Sequence, residues 1–246
     1  MKRLIWTLLA LTLVLPGVTA CGTAPQPAEP PASDQAASPE TAAFRAALER
    51  FETEHLLPDG SDSAYDESFG PLSDNRFAVY DVDGDGADEL IFSYTTAPEA
   101  GKLELVYGLD ASTGALTAEL TEYPALTYLS NGMIRAKWSH NQGLAGDAHW
   151  PYTLYAYDAA GNRYVVLATV DTWDRAVSET NFEGQSFPAE LDTDQSGVVF
   201  FLTQEGVTRT LSQTDYTAWL EETLGGAEEV SLPYLPMTAE NIAALQ

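Results

Sequence analysis

From Phe77 onward the apolar residues of this chain come in short β-branched or aromatic runs, whereas before that point they recur at helical spacing. Phe44, Ala47, Leu48 and Phe51 fall on one face of a helix, and that stripe is most simply core packing. Ser38-Pro39-Glu40 starts this helix with a capping hydroxyl, a proline whose missing N–H costs nothing there, and an acid beside the positive helix end. The helix should end near Leu57-Pro58. Residues 58–75, rich in Asp, Ser, Gly and Pro, predict a loop.

Eight segments then read as strands: Phe77–Tyr80, Glu89–Tyr94, Leu103–Leu109, Ala125–Leu129, Met133–Trp138, Tyr152–Tyr157, Tyr164–Val170 and Val198–Leu202. They follow one another without intervening helices, which predicts an antiparallel meander. Ser212 and Asp215 have capping-box spacing, Tyr216, Trp219, Leu220 and Leu224 share a face, and Gly225-Gly226 stops the helix. A short last helix should start at Thr238. The expected class is α+β, predominantly antiparallel β: one curved open sheet of about eight strands with an N-terminal helix and C-terminal helices packed on it.

The connections Asp110-Ala111-Ser112-Thr113-Gly114 and Asp158-Ala159-Ala160-Gly161-Asn162 look alike, and their aspartates lie 48 positions apart (158 − 110 = 48). A period near 48 is the size of a propeller blade, but a closed propeller needs at least about four blades and fewer than three fit here. The open sheet is therefore preferred.

The extreme N-terminus has a different pattern. Lys2 and Arg3 precede the apolar run Leu4–Leu15, which breaks at Pro16-Gly17 before Val18-Thr19-Ala20-Cys21. Such a run is well short of the roughly 20 residues a membrane-crossing helix needs, so it reads as a secretory signal. Val-Thr-Ala-Cys resembles the bacterial lipobox, which implies cleavage after residue 20 and diacylglycerol on the Cys21 sulfur, tying the protein to the cell membrane on its extracytoplasmic side. An ordinary cleavable signal with an incidental cysteine is the alternative. Cys21 is the single cysteine, so no disulfide forms within the chain. Residues 21–40, rich in Pro, Ala, Ser and Gln, read as a disordered tether, and 41–246 as one globular domain.

Without Lys2 and Arg3 the chain has 9 basic against 37 acidic residues, a formal charge of 9 − 37 = −28. Such a surface repels nucleic acid and anionic lipid head groups. Solubility explains it most simply, and cation capture is the sharper reading.

The segment Asp81-Val82-Asp83-Gly84-Asp85-Gly86-Ala87-Asp88-Glu89-Leu90 packs five carboxylates around two glycines. Numbered from Asp81, it offers side-chain oxygens at positions 1, 3 and 5 (Asp81, Asp83, Asp85), a carbonyl at 7 (Ala87) and a carboxylate at 9 (Glu89), the donors a hard divalent cation takes. Position 12, a bidentate glutamate in an EF-hand, is Phe92 here, and strands flank the loop, so it is not an EF-hand. Two carboxylates about 5 Å apart repel by roughly 3 kcal/mol at an effective dielectric near 20, a cost that a cation removes. A metal-free acidic hairpin turn is the bland alternative.

Residues 77–92 resemble the calcium loop of FG-GAP and VCBS-type repeats, with glutamate at position 89 where aspartate is usual. That resemblance implies Ca2+ held by Asp81, Asp83, Asp85, Glu89 and the Ala87 carbonyl. The stretches Trp138–Leu144, Trp150–Tyr155 and Val170–Asp174 look like those of lipoproteins from gut clostridia-type bacteria, which supports the localisation only. Phe77–Gly84 also resembles the nucleophile strand of haloacid-dehalogenase phosphatases, but Asp85 replaces their threonine and the expected meander lacks their parallel sheet. Asp192-Thr193-Asp194-Gln195-Ser196-Gly197 repeats half a calcium loop, with a solvated turn favoured over a second site.

Serine-hydrolase, P-loop, zincin and dinucleotide signatures are absent. His140, Asp147 and His149 share one loop between Trp138 and Trp150 and could supply a base or metal ligands. Trp138, Trp150, Tyr152 and Trp173 could stack on sugar rings or anchor a protein partner, or fill the core. The expectation is a tethered, calcium-stabilised binding lipoprotein for a glycan or protein ligand, in which Trp138, His140, His149, Trp150 and Trp173 are the candidate contacts. The rivals are a polymer-degrading hydrolase using the His140–His149 loop and a purely structural envelope component.

Overall fold

A computed structural model describes residues 38–140 and 143–245. The segment read as a secretory signal, Cys21 and nearly all of the expected tether lie outside the described residues. No helix among the described residues is long and apolar enough to cross a membrane.

Helix α1, Pro39–Glu54, begins where expected: Ser38 Oγ accepts the Thr41 N–H at 3.0 Å. It ends three residues before Leu57, with His55 in the left-handed conformation and its N–H returned to the Phe51 carbonyl. Phe44, Ala47, Leu48 and Phe51 are all buried.

The β region forms two antiparallel sheets. The first comprises β1 (Arg76–Tyr80), β2 (Glu89–Tyr94), β3 (Leu103–Asp110), β4 (Ala115–Glu122) and the two-residue β12 (Leu235–Pro236), in the order β12-β1-β2-β3-β4. The second comprises β5 (Leu126–Leu129), β6 (Ile134–Lys137), β7 (Tyr152–Asp158), β8 (Arg163–Asp174), β9 (Val198–Gln204), β10 (Val207–Ser212) and the two-residue β11 (Glu229–Val230), in the order β10-β9-β8-β7-β6-β5-β11. The predominantly antiparallel α+β class holds, but the single curved sheet is corrected to two.

The reason is that the first sheet is apolar on both faces. All six residues of β2 are buried. Phe77, Leu90, Phe92 and Tyr94 pack with α1 and Ile242, while the alternate residues Ala78 and Ile91, with Val106 and Leu120, pack against Tyr128, Ile134 and Tyr164 of the second sheet. The second sheet turns Tyr152, Leu154, Val170 and Phe200 toward Tyr216 and Trp219 of α2 (Gln213–Leu224). The layers therefore run helix, sheet, sheet, helix. Ser212 caps α2 and Thr238 caps the short α3, Ala239–Ala243.

The two similar connections are the turns of hairpins β3–β4 and β7–β8. Both hairpins carry a β-bulge at the equivalent place, between Val106 and Tyr107 in one and Leu154 and Tyr155 in the other (154 − 106 = 48). The unpaired residues are Glu119 on β4 and Leu167 on β8.

Candidate functional site

The acidic loop joins β1 to β2, adjacent antiparallel strands whose register pairs Tyr80 with Glu89 at the loop's base. Its aspartates fold back on the loop's own backbone. Asp81 accepts the Gly84 N–H at 2.8 Å and the Gly86 N–H at 3.1 Å, Asp83 accepts the Asp85 N–H at 2.9 Å, and Asp85 accepts the Ala87 N–H at 2.8 Å. Gly84 and Gly86 have φ of +80° and +94°, which side-chain-bearing residues rarely adopt.

Among the described residues, Asp81, Asp83 and Glu89 form a group whose ligand oxygens all lie within 4.8 Å of one another. Of the five expected ligands, the fold thus brings three carboxylates together. The Asp85 side chain is engaged with Ala87 and is not in that group. Glu89 is 2% exposed, and its Oε2 accepts the Val82 N–H at 2.9 Å.

Sequence reasoning missed a fourth acid, Glu119, which is 6% exposed. The bulge in β4 turns it inward over Gly108 of β3, where a methyl group would collide with its carboxylate. Its Oε1 accepts from Asn162 Nδ2 at 2.7 Å, and its Oε2 is buried without a hydrogen-bond partner, as is Oδ2 of Asp83. The buried hydroxyl of Tyr164, also without a hydrogen-bond partner, lies in the field of Asp83, Glu89 and Glu119.

The cluster is electrostatically costly. Burial, reinforced by the charges of Asp83, Glu119 and Asp85, pushes the Glu89 carboxyl up to about 9 against the single lowering bond from Val82. Burial and the neighbouring Asp83 charge raise Glu119 to about 7, opposed by the Asn162 hydrogen bond. Asp83 is raised too, chiefly by burial. The ion pairs among the described residues, Lys102–Glu99 and Arg135–Glu229, involve none of these acids. An all-oxygen donor set, buried oxygens without partners and no paired cationic side chain among the described residues fit a hard divalent ion.

The second acidic turn is built differently. Asp192 is buried and accepts from Gly197 N–H at 3.0 Å, and Asp194 accepts the Thr214 N–H at 2.7 Å in the first turn of α2. That bond, more than any other, lowers the Asp194 carboxyl below its ordinary range. Asp192 thus closes the turn on itself, and Asp194 staples it to a helix N-terminus.

The other candidate residues are scattered over the second sheet. Trp173 is 4% exposed, edge-on to Phe187, with its indole N–H donated to the Ser178 carbonyl at 2.8 Å. Trp138 and Trp150 are half-buried: Trp138 donates to Thr153 Oγ1 at 3.1 Å, and Trp150 to the Trp138 carbonyl at 2.6 Å. His140 is exposed beside Ser139, whereas His149 and Trp150 line a cleft with Arg135, Lys137, Tyr152 and Tyr216. No family model, curated protein or solved structure matches the chain.

Proposed function

We propose that this protein is an extracytoplasmic binding module, tethered to the bacterial membrane through diacylglycerol on Cys21 and stiffened by Ca2+ in the β1–β2 loop, with a glycan or protein as its ligand. The observation that carries the metal assignment is the convergence of Asp81, Asp83 and Glu89 within 4.8 Å, with no cationic side chain paired to them among the described residues. Asp81, Asp83 and Glu89 would hold the ion, with Asp85 and the Ala87 carbonyl as further donors. A bound cation neutralises the repulsion that otherwise opposes closing the loop.

The tether and lipid anchor rest on the Val18–Cys21 sequence and the composition of residues 21–40. The test is the melting temperature of the intact protein in chelator and in about 10 mM calcium. For an extracellular-type dissociation constant near 0.1 mM, linkage gives roughly 2.7 kcal/mol. That corresponds to about 5–11 °C at roughly 2–4 °C per kcal/mol. The same shift in Asp81→Ala/Asp83→Ala, or none in the wild type, would remove the calcium assignment.

A further inference from the structure

The outer face of the second sheet holds a cleft of about 220 Å3 beside α2. Strand alternation explains its floor. Arg135 and Lys137, two apart on β6, share a face, and Lys137 lies opposite Tyr152 on β7. Thr172 on β8 lies opposite Phe200 on β9. Tyr216 of α2 stacks on Phe200 with ring centroids 3.8 Å apart and places its hydroxyl 2.9 Å from that of Tyr152. The helical turn Gly146–His149 closes the other side, bringing Asp147 and His149 to the rim, with the His149 ring edge-on to Phe200 at 5.3 Å.

Basic side chains are concentrated here, in a molecule that has few of them. Against 37 acids the chain has 11 Lys and Arg and 3 His, yet Arg135, Lys137 and His149 meet in this one cleft. One guanidinium nitrogen of Arg135 pairs with Glu229 at 2.7 Å, while its Nε is buried without a hydrogen-bond partner. Lys137 is exposed and makes no ion pair among the described residues.

We infer that this cleft binds a sugar acid, a single pyranose ring bearing a carboxylate. This names the ligand class of the binding module proposed above and rests on that reading. Arg135 and Lys137 match the carboxylate, since charge-assisted bonds to it are the strong ones, and the His149 ring can add a hydrogen bond. The hydroxyls of Thr172, Tyr152 and Tyr216 and the carboxylate of Asp147 match ring hydroxyls, which both donate and accept. A bare phosphate would use the cations but face Asp147 unfavourably, and a neutral sugar would leave Lys137 without an ionic partner. The volume is below the roughly 300–1,000 Å3 of sites for drug-sized ligands, which suits one ring.

Saturation-transfer NMR and calorimetry on the intact calcium-loaded protein test this, with sodium glucuronate as probe and glucose and inorganic phosphate as comparators. Glucuronate should bind saturably, and about tenfold more weakly in Lys137→Ala, an exposed substitution whose melting temperature should match wild type. Glucose or phosphate binding as tightly as glucuronate would overturn the assignment, as would unchanged affinity in Lys137→Ala. Absence of glucuronate binding would overturn it too. In that event neutral oligosaccharides retained on a glycan array would leave the binding module standing, whereas no retained glycan or protein ligand would remove both.

Discussion

Asn162 donates its side-chain Nδ2 to Glu119 Oε1 at 2.7 Å, tying the turn of the second-sheet hairpin β7–β8 to the bulge of the first-sheet hairpin β3–β4. Asn162 itself has a φ of +48° and accepts from the Tyr157 hydroxyl at 2.8 Å. One hairpin thus orients an acid that the other hairpin carries. At the matching position of β8 the unpaired residue is Leu167, which packs with the apolar cluster under α2 (167 − 119 = 48). The same backbone irregularity places a partly buried apolar side chain in one hairpin and a buried carboxylate beside the acidic loop in the other.

Glu119→Gln keeps the acceptor for Asn162 and deletes a buried charge that repels Asp83 and Glu89. The metal-free protein should therefore gain stability near pH 8, by roughly 1–3 kcal/mol, since each pKa unit corresponds to about 1.4 kcal/mol. Its calcium-induced shift should shrink, because less repulsion remains for the cation to relieve. Urea unfolding in chelator and in calcium measures both. A loss of metal-free stability would mean that the Glu119 charge is stabilising.

Metal-free stability should fall as pH rises. Glu89 at about 9 and Glu119 at about 7 both lie above the roughly 4.3 of unfolded glutamate. Between those limits the folded protein holds protons that the unfolded chain has released, so the stability slope with pH is negative. The contribution is complete below the unfolded value and is lost through about 7 for Glu119 and about 9 for Glu89. The lowered carboxylates Asp66, Glu99, Asp110 and Asp194 act at lower pH and do not offset this window. Calcium at the proposed site would favour the ionised forms, so its affinity should rise over the same range as the acids give up protons on binding. Urea midpoints near pH 5 and pH 8 in chelator give the sign. A midpoint that climbs with pH would contradict the buried-acid account.

Local signals were legible wherever they did not depend on a partner. The α1 stripe, the Ser38 and Ser212 caps, the Thr238 start and the bounds of β2 all follow from residue type and spacing over a few positions. β4 was not legible because its bulge breaks the two-residue alternation: Glu119 and Leu120 are consecutive and both buried. β10 has only two apolar residues, Val207 and Leu211, and forms as the edge partner of β9. The division into two sheets was hidden for a different reason. A run such as Leu90-Ile91-Phe92 states that both faces are covered, but not that one cover is a helix and the other a second sheet. Within the acidic loop, proximity in sequence found Asp81, Asp83 and Glu89, whereas Glu119 reaches them only through the bulge, the space over Gly108 and the Asn162 bond.

Two phenylalanines test the layered packing. Phe51 is wholly buried, edge-on to Phe92 with ring centroids 4.7 Å apart and also in contact with Tyr94 at 5.9 Å, whereas Phe182 is 86% exposed. Phe51→Ala removes the aromatic that joins α1 to β2 and leaves a cavity, with an expected cost of about 3–5 kcal/mol. Phe182→Ala should change stability by less than about 0.5 kcal/mol, as substitutions away from packed contacts do. Because Phe51 packs in the helix-facing core and not with the acidic loop, Phe51→Ala should retain the wild-type calcium-induced gain on its lowered baseline. Urea unfolding of the three proteins with and without calcium separates these effects. Equal costs for the two substitutions would deny α1 its place as the outer layer of the first sheet, and loss of the calcium gain in Phe51→Ala would couple the loop to the helix-facing core.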